Sequence, residues 1–96
     1  MTIEDLLKDK RDEILRIAAM HGASNVRVFG SAARGEARED SDVDFLVDME
    51  SDHTPFFPGG LIMDLEELLG CKVDVVTMDG LHWYVKDEIV KEAVPV

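Results

Sequence analysis

Between Val26 and Val47 the chain reads VRVFGSAARGEAREDSDVDFLV: two short runs rich in β-branched and aromatic residues flank a polar connection, and the second run carries an aspartate within it. Val26-Arg27-Val28-Phe29 and Val43-Asp44-Phe45-Leu46-Val47 have the composition of neighbouring strands. Side chains alternate faces along a strand, so Asp42 and Asp44 are expected on one side, their Cα atoms roughly 6 to 7 Å apart. An aspartate inside an apolar run is costly without a partner. A fold that contains this strand must therefore supply a reason for Asp44.

The connection suggests what that reason is. Gly30 removes a Cβ where backbone would have to approach an anion closely, and Ser31 stands where a short helix through Ala32, Ala33 and Arg34 could begin. A helix start offers unpaired N–H groups to a phosphate. Two carboxylates on one strand face can share a pair of divalent ions roughly 3.5 to 4 Å apart, the arrangement used for in-line displacement at phosphorus. Carboxylates alone repel a triphosphate, and Mg²⁺ between them reverses the sign. Gly-Ser and a correctly spaced Asp-x-Asp coincide by chance on the order of once in 10⁵ starting positions. The competing structural reading is a strand, a turn and a solvated acidic loop, because Ser and Asp are common turn and cap residues. Asp40-Ser41-Asp42-Val43-Asp44 imitates the start of an EF-hand, but Phe45 and Ser51 stand where that loop needs glycine and glutamate. No P-loop and no G-x-G-x-x-G is present.

Gly30-Ser31, ten intervening residues and Asp42-Val43-Asp44 resemble the signature of the DNA polymerase β nucleotidyltransferase superfamily. The longer stretch GSAARGEAREDSDVDFLV is similar to its small prokaryotic branch, the minimal nucleotidyltransferases paired as antitoxins with HEPN ribonuclease toxins. The resemblance covers nearly the whole chain. It implies an α/β (α+β) polymerase β-like nucleotidyltransferase core, a small mixed sheet flanked by helices in the order α-β-α-β-α-β-α, as a single domain over residues 1–96. It implies further that Gly30, Ser31 and Arg34 bind the nucleotide, Ser31 and Arg34 at the terminal phosphates. Asp42, Asp44 and Asp74 would be the catalytic residues and the ligands of two Mg²⁺ ions, and Asp74 would help activate the acceptor hydroxyl.

Asp74 also stands out on its own physics. In Lys72-Val73-Asp74-Val75-Val76, alternation sets Val73 and Val75 on one face and a carboxylate on the other. The plainer reading is an edge-strand aspartate paired with Lys or Arg. Asp64, on a helix, and Asp79, in the turn Met78-Asp79-Gly80, are weaker candidates.

Ninety-six residues suffice for one domain with a modest core, burying about two thirds of the unfolded surface. No run of apolar residues is long enough to span a membrane and no signal-peptide segment opens the chain, so a cytoplasmic protein without a membrane partner is expected. Cys71 is the only cysteine; it reads as small core filler rather than a catalytic thiol. The net charge of −11, from 21 acidic and 10 basic residues, argues against a surface that grips nucleic acid. It suits solubility or a basic protein partner.

Thr2 is expected to cap a first helix, with Asp5 at the capping-box position and an apolar stripe from Ile3 to Ala18 ending near Gly22. Residues 35–41 read as a loop and residues 48–58, with His53 and two prolines, as the most mobile segment. A helix is expected from Gly59 to Leu69, stopped by Gly70, and a last helix from Trp83 to Ala93. Phe56 and Phe57 are expected to pin their loop to the core, and Trp83 and Tyr84 to anchor the last helix, in preference to forming an interface patch. His21, His53 and His82 lack metal-ligand spacing.

The leading expectation is a Mg²⁺-dependent transferase that moves AMP from ATP onto a hydroxyl and releases pyrophosphate. By the resemblance, the acceptor is a tyrosine of a HEPN toxin, because so short a chain must borrow its acceptor site. Two alternatives stay open: a binding module that neutralises a toxin by occlusion, and a nucleotide-sensing regulatory domain.

Overall fold

The computed structural model describes residues 3–35, 42–51, 55 and 57–96. The expectations for Thr2, His53, Phe56 and most of the 35–41 loop lie outside them.

The elements are α1 (Ile3–Asp9), α2 (Arg11–Met20), β1 (Ala23–Phe29), β2 (Val43–Met49), α3 (Gly59–Leu69), β3 (Val73–Thr77), α4 (Trp83–Glu92) and β4 (Val94–Pro95). One mixed sheet has the order β3-β2-β1-β4. β1 runs antiparallel to both β2 and β4, whereas β2 and β3 are parallel. The parallel pair needs a crossover, which α3 supplies. β2, fully apolar at Val43, Phe45, Leu46 and Val47, takes the central position such a run requires, with all four side chains essentially inaccessible.

Alternation divides the sheet into two faces. Val43, Phe45 and Val47 of β2, Val73 and Val75 of β3 and Val28 of β1 join Ile14 and Ala18 of α2 and Leu61, Leu65 and Leu69 of α3 in one core. Asp44, Leu46 and Asp48 alternate to the opposite face of β2. Among the described residues no polar or charged residue is buried, and Asp44 and Asp48 lie partly exposed on that opposite face.

Four features differ from the sequence expectation. The first helix is two, divided at Lys10, because Lys8 to Asp12 offers no apolar residue to continue the stripe. Lys10 and Ile14 still make helical hydrogen bonds to Leu6 and Lys10, so the break is a bend in one path. Residues 31–35 form turns in place of a short helix: Arg34 N–H bonds Gly30 O at 3.2 Å and Gly35 N–H bonds Ala32 O at 3.4 Å. Gly35 has positive φ (+71°), outside the right-handed helical region. β4 is an unforeseen fourth strand, pairing Val94 with Val28 and Pro95 with Arg27. Lastly, α4 buries none of its residues, and Trp83 and Tyr84 are 79% and 64% exposed. The anchoring role expected for the two aromatics is therefore wrong. They pack on each other and on His82, with ring centroids 5.7 Å apart for Trp83–Tyr84 and 4.3 Å for His82–Tyr84.

Phe57 packs against the core as expected, and α3 has the bounds read from sequence. Among the described residues no helix is long and apolar enough to cross a membrane. Because Leu65 is 1% exposed, Leu65→Ala is expected to cost about 2 to 5 kcal/mol in urea unfolding. Met63→Ala on the same helix, at a residue 64% exposed, should stay within about 0.5 kcal/mol.

Candidate active site

The antiparallel register places Phe29, the last residue of β1, opposite Asp44, so the chain leaves the sheet through Gly30 directly beside that carboxylate. Gly30 has φ +70°, and a Cβ built there would lie 2.8 Å from Asp44 Oδ2. The backbone conformation strains any other residue here, and an added Cβ would also push the Asp44 carboxylate aside. Ser31 is half-buried, and Ala32 inserts into the core, which fixes the turn against the sheet.

On the other side of β2, the parallel register makes Asp74 the Cα partner of Asp44. Partners in register share a face, so the two carboxylates are cross-strand neighbours. Asp42 precedes β2 by one residue and is exposed. Asp74, also exposed, accepts a 3.0 Å hydrogen bond at Oδ1 from Val75 N–H.

Asp44 holds its proton more tightly than an ordinary aspartate. Burial is the largest cause, followed by the negative charges of Asp74, Asp42 and Glu92. Among the described residues no Lys or Arg forms an ion pair with Asp42, Asp44 or Asp74. Asp48, two positions along the same face from Leu46, provides the contrast: Arg27 Nη2 reaches its Oδ1 at 3.0 Å and Asn25 Nδ2 its Oδ2 at 3.2 Å. One end of the face is neutralised, and the end beside Gly30 is left negative. β3 is an edge strand, as the plainer reading of Asp74 supposed, but the cation that reading requires is not among the described ion pairs.

The donors at this end are oxygens alone, the chemistry preferred by a hard divalent cation. Among the described residues, no three His, Cys, Asp or Glu side chains gather closely enough to enclose an ion by themselves. A cation seated here would draw further ligands from water and from phosphate, as Mg²⁺ commonly does. Cys71 is not a rival site: burial and the charges of Glu66 and Asp42 push its thiol pKa up, against thiolate formation. Asp64 is occupied by His21, whose Nε2 lies 2.6 Å from Asp64 Oδ2 and ties α2 to α3. Asp79 is exposed in its turn. A groove of about 370 Å³ lies behind the turn, lined by Leu7, Ala32, Ala33, Val94 and Val96 among others and by none of the three aspartates.

Arg34, exposed at the end of the turn, donates from Nη1 to Glu92 Oε1 at the end of α4. Sequence reasoning did not find Glu92. It stands 58 positions after Arg34 and has no motif of its own, and the pairing of β4 with β1 brings it to the turn.

The raised pKa of Asp44 has a consequence for stability. A carboxyl that binds its proton more tightly in the folded state contributes stability that is fully present below its unfolded pKa and is lost as pH rises through the folded value. At neutral pH the ionised Asp44 therefore works against the metal-free fold. Asp44→Asn is expected to raise the melting temperature in EDTA at pH 7, with the gap to wild type closing as the pH is lowered through the Asp44 transition. A lower melting temperature at pH 7, or a gap indifferent to pH, would contradict the electrostatic account.

A family model for the nucleotidyltransferase domain matches residues 7–96. Protein adenylyltransferase MntA of Thermococcus cleftensis is 38% identical over 92 residues, spanning 96% of this chain and 90% of the relative. MJ0435 of Methanocaldococcus jannaschii, a candidate protein adenylyltransferase, is 38% identical over 90 residues, spanning 94% and 97%. The solved structure of a candidate minimal nucleotidyltransferase is similar with a TM-score of 0.87 and 45% identity, covering 100% of this chain and 97% of that one. The fold recurs at 20% identity and a TM-score of 0.72 in a toxin–antitoxin crystal structure with AMP-PNP, over 92% of this chain and 70% of that one. The unpaired aspartates beside the Gly30 turn thus sit in a recognised enzyme framework, and the chain belongs to the nucleotidyltransferase domain family, in its minimal, MntA-like branch of protein adenylyltransferases.

Proposed function

We propose that this nucleotidyltransferase uses Mg²⁺ to move AMP from ATP onto a protein hydroxyl, a tyrosine of a HEPN ribonuclease toxin, and so acts as that toxin's antitoxin. The observation that carries the reading is the register pair Asp44–Asp74 beside a glycine turn, with no Lys or Arg paired to it among the described residues. The likeness to MntA of Thermococcus cleftensis supports adenylyl transfer to protein. The shared fold of the toxin–antitoxin structure is in keeping with a toxin as partner.

In this reading Asp42, Asp44 and Asp74 hold two Mg²⁺ ions, which when bound supply charge neutralisation and Lewis acidity at the phosphates. Gly30 lets the backbone approach the triphosphate, and Ser31 and Arg34 bind its terminal phosphates. Asp74 accepts the proton of the acceptor hydroxyl. The hydroxyl oxygen bonds to the α-phosphorus as the bond to the bridging oxygen breaks, and pyrophosphate leaves with that electron pair. The reading includes a cytoplasmic setting and no direct nucleic-acid contact, the latter in keeping with the acidic charge of −11.

A second reading, neutralisation by coverage alone, draws support from the exposed Trp83 and Tyr84 on a helix that buries nothing. One experiment separates the two. Purified protein, ATP labelled at the α-phosphate, Mg²⁺ and the toxin from the adjoining reading frame should give a labelled toxin with lost ribonuclease activity. Asp42→Asn and Asp44→Asn should bind that toxin without labelling or silencing it. Transfer from none of the four triphosphates would defeat the enzymatic reading, and silencing by the two variants at wild-type levels would favour coverage.

A further inference from the structure

Glu92 contacts Arg34 and lies near enough to Asp44 for its charge to be felt there. Its Oε1 accepts a hydrogen bond from Arg34 at the end of the glycine turn, and its charge acts on Asp44. The fold holds it there: Ala93 leaves the helix in an extended conformation, and Val94 and Pro95 pair with Val28 and Arg27 of β1. The ion pair is exposed, with the Arg34 and Glu92 side chains 50% and 28% accessible. Such a pair adds little to stability and exchanges partners at small cost. A triphosphate carries more negative charge than one carboxylate and offers the guanidinium bidentate acceptors, so it competes well for the same arginine.

We propose that Glu92 is a positioning residue, a resident carboxylate that holds Arg34 beside the Gly30–Gly35 turn and is displaced from it by the terminal phosphates of a nucleoside triphosphate. The proposal deepens the reading of Arg34 as a phosphate ligand and rests on it. Before nucleotide binds, Arg34 offsets Glu92 at the edge of the acidic cluster. Once a triphosphate takes the guanidinium, the carboxylate is released to solvent. Competition between the two anions makes binding weaker than Arg34 alone would give, and only for ligands that carry the distal phosphates.

Titration calorimetry with Mg²⁺ and a non-hydrolysable ATP analogue, and separately with AMP, tests this on wild type, Glu92→Gln, Arg34→Gln and the double variant. Glu92→Gln is expected to bind the ATP analogue about two- to fivefold more tightly, the scale of one exposed ion pair. Its affinity for AMP should not change, and the gain should vanish in the Arg34→Gln background. Unchanged or weaker triphosphate binding by Glu92→Gln overturns the proposal, as does an equal gain for AMP. A gain that persists without Arg34 overturns it too, since Glu92 would then act by direct repulsion. If Arg34→Gln leaves triphosphate binding intact, the phosphate reading of Arg34 fails along with the proposal. Arg34 is exposed and Glu92 half-buried, and circular dichroism checks that the variants keep the fold.

Discussion

Two aspartates in register on adjacent parallel strands, with no Lys or Arg paired to them among the described residues, are the constraint around which this small domain is arranged. Placing like charges opposite each other in a sheet is unfavourable, and partial burial adds to the cost at Asp44. The rest of β2 offsets it: Val43, Phe45 and Val47 alternate with the carboxylate and are buried against α2 and α3. Apolar burial of that kind is the largest favourable term in folding. The acidic pair is thus held by a strand that cannot move away from it.

The two faces of the sheet divide the work. Helices α2 and α3 cover the apolar face, and Asp44 projects, partly buried, from the opposite face of β2. The Gly30 turn comes off the end of β1 at the level of that aspartate, and β4 returns the chain to the same edge. As a result, residues from four separate stretches, Gly30 to Arg34, Asp42 to Asp44, Asp74 and Glu92, lie around one end of the sheet. The arrangement follows from strand order and register.

Much of this was legible in the sequence because it is written in local pattern. Alternation in Lys72-Val73-Asp74-Val75-Val76 revealed which residue faces away from the core, and the leucine spacing of 61, 65 and 69 with Gly70 after it gave the bounds of α3. The parts that were not legible depend on contacts between distant segments. A two-residue strand such as β4 carries no periodicity, and Glu92 gains its place only through that strand. Trp83 and Tyr84 misled for a related reason: their size favours burial on average, but α4 packs so lightly on β1 that its aromatic start stays in solvent. The bend at Lys10 and the single turn after Gly30 show the limit of helix patterns over a few residues, where nucleation is costly and Gly35 stands at positive φ.

Under the proposed function the pair Asp44–Asp74, which no Lys or Arg neutralises among the described residues, and not acidity in general, seats a divalent cation with the nucleotide. Mn²⁺ titration followed by electron paramagnetic resonance, in the presence of a non-hydrolysable ATP analogue, measures this directly. Asp44→Asn and Asp74→Asn should each lose most of the bound Mn²⁺ seen in wild type, whereas Asp48→Asn, at the end of the face already paired with Arg27, should keep it. Equal losses in all three variants, or wild-type binding by Asp74→Asn, would contradict the account.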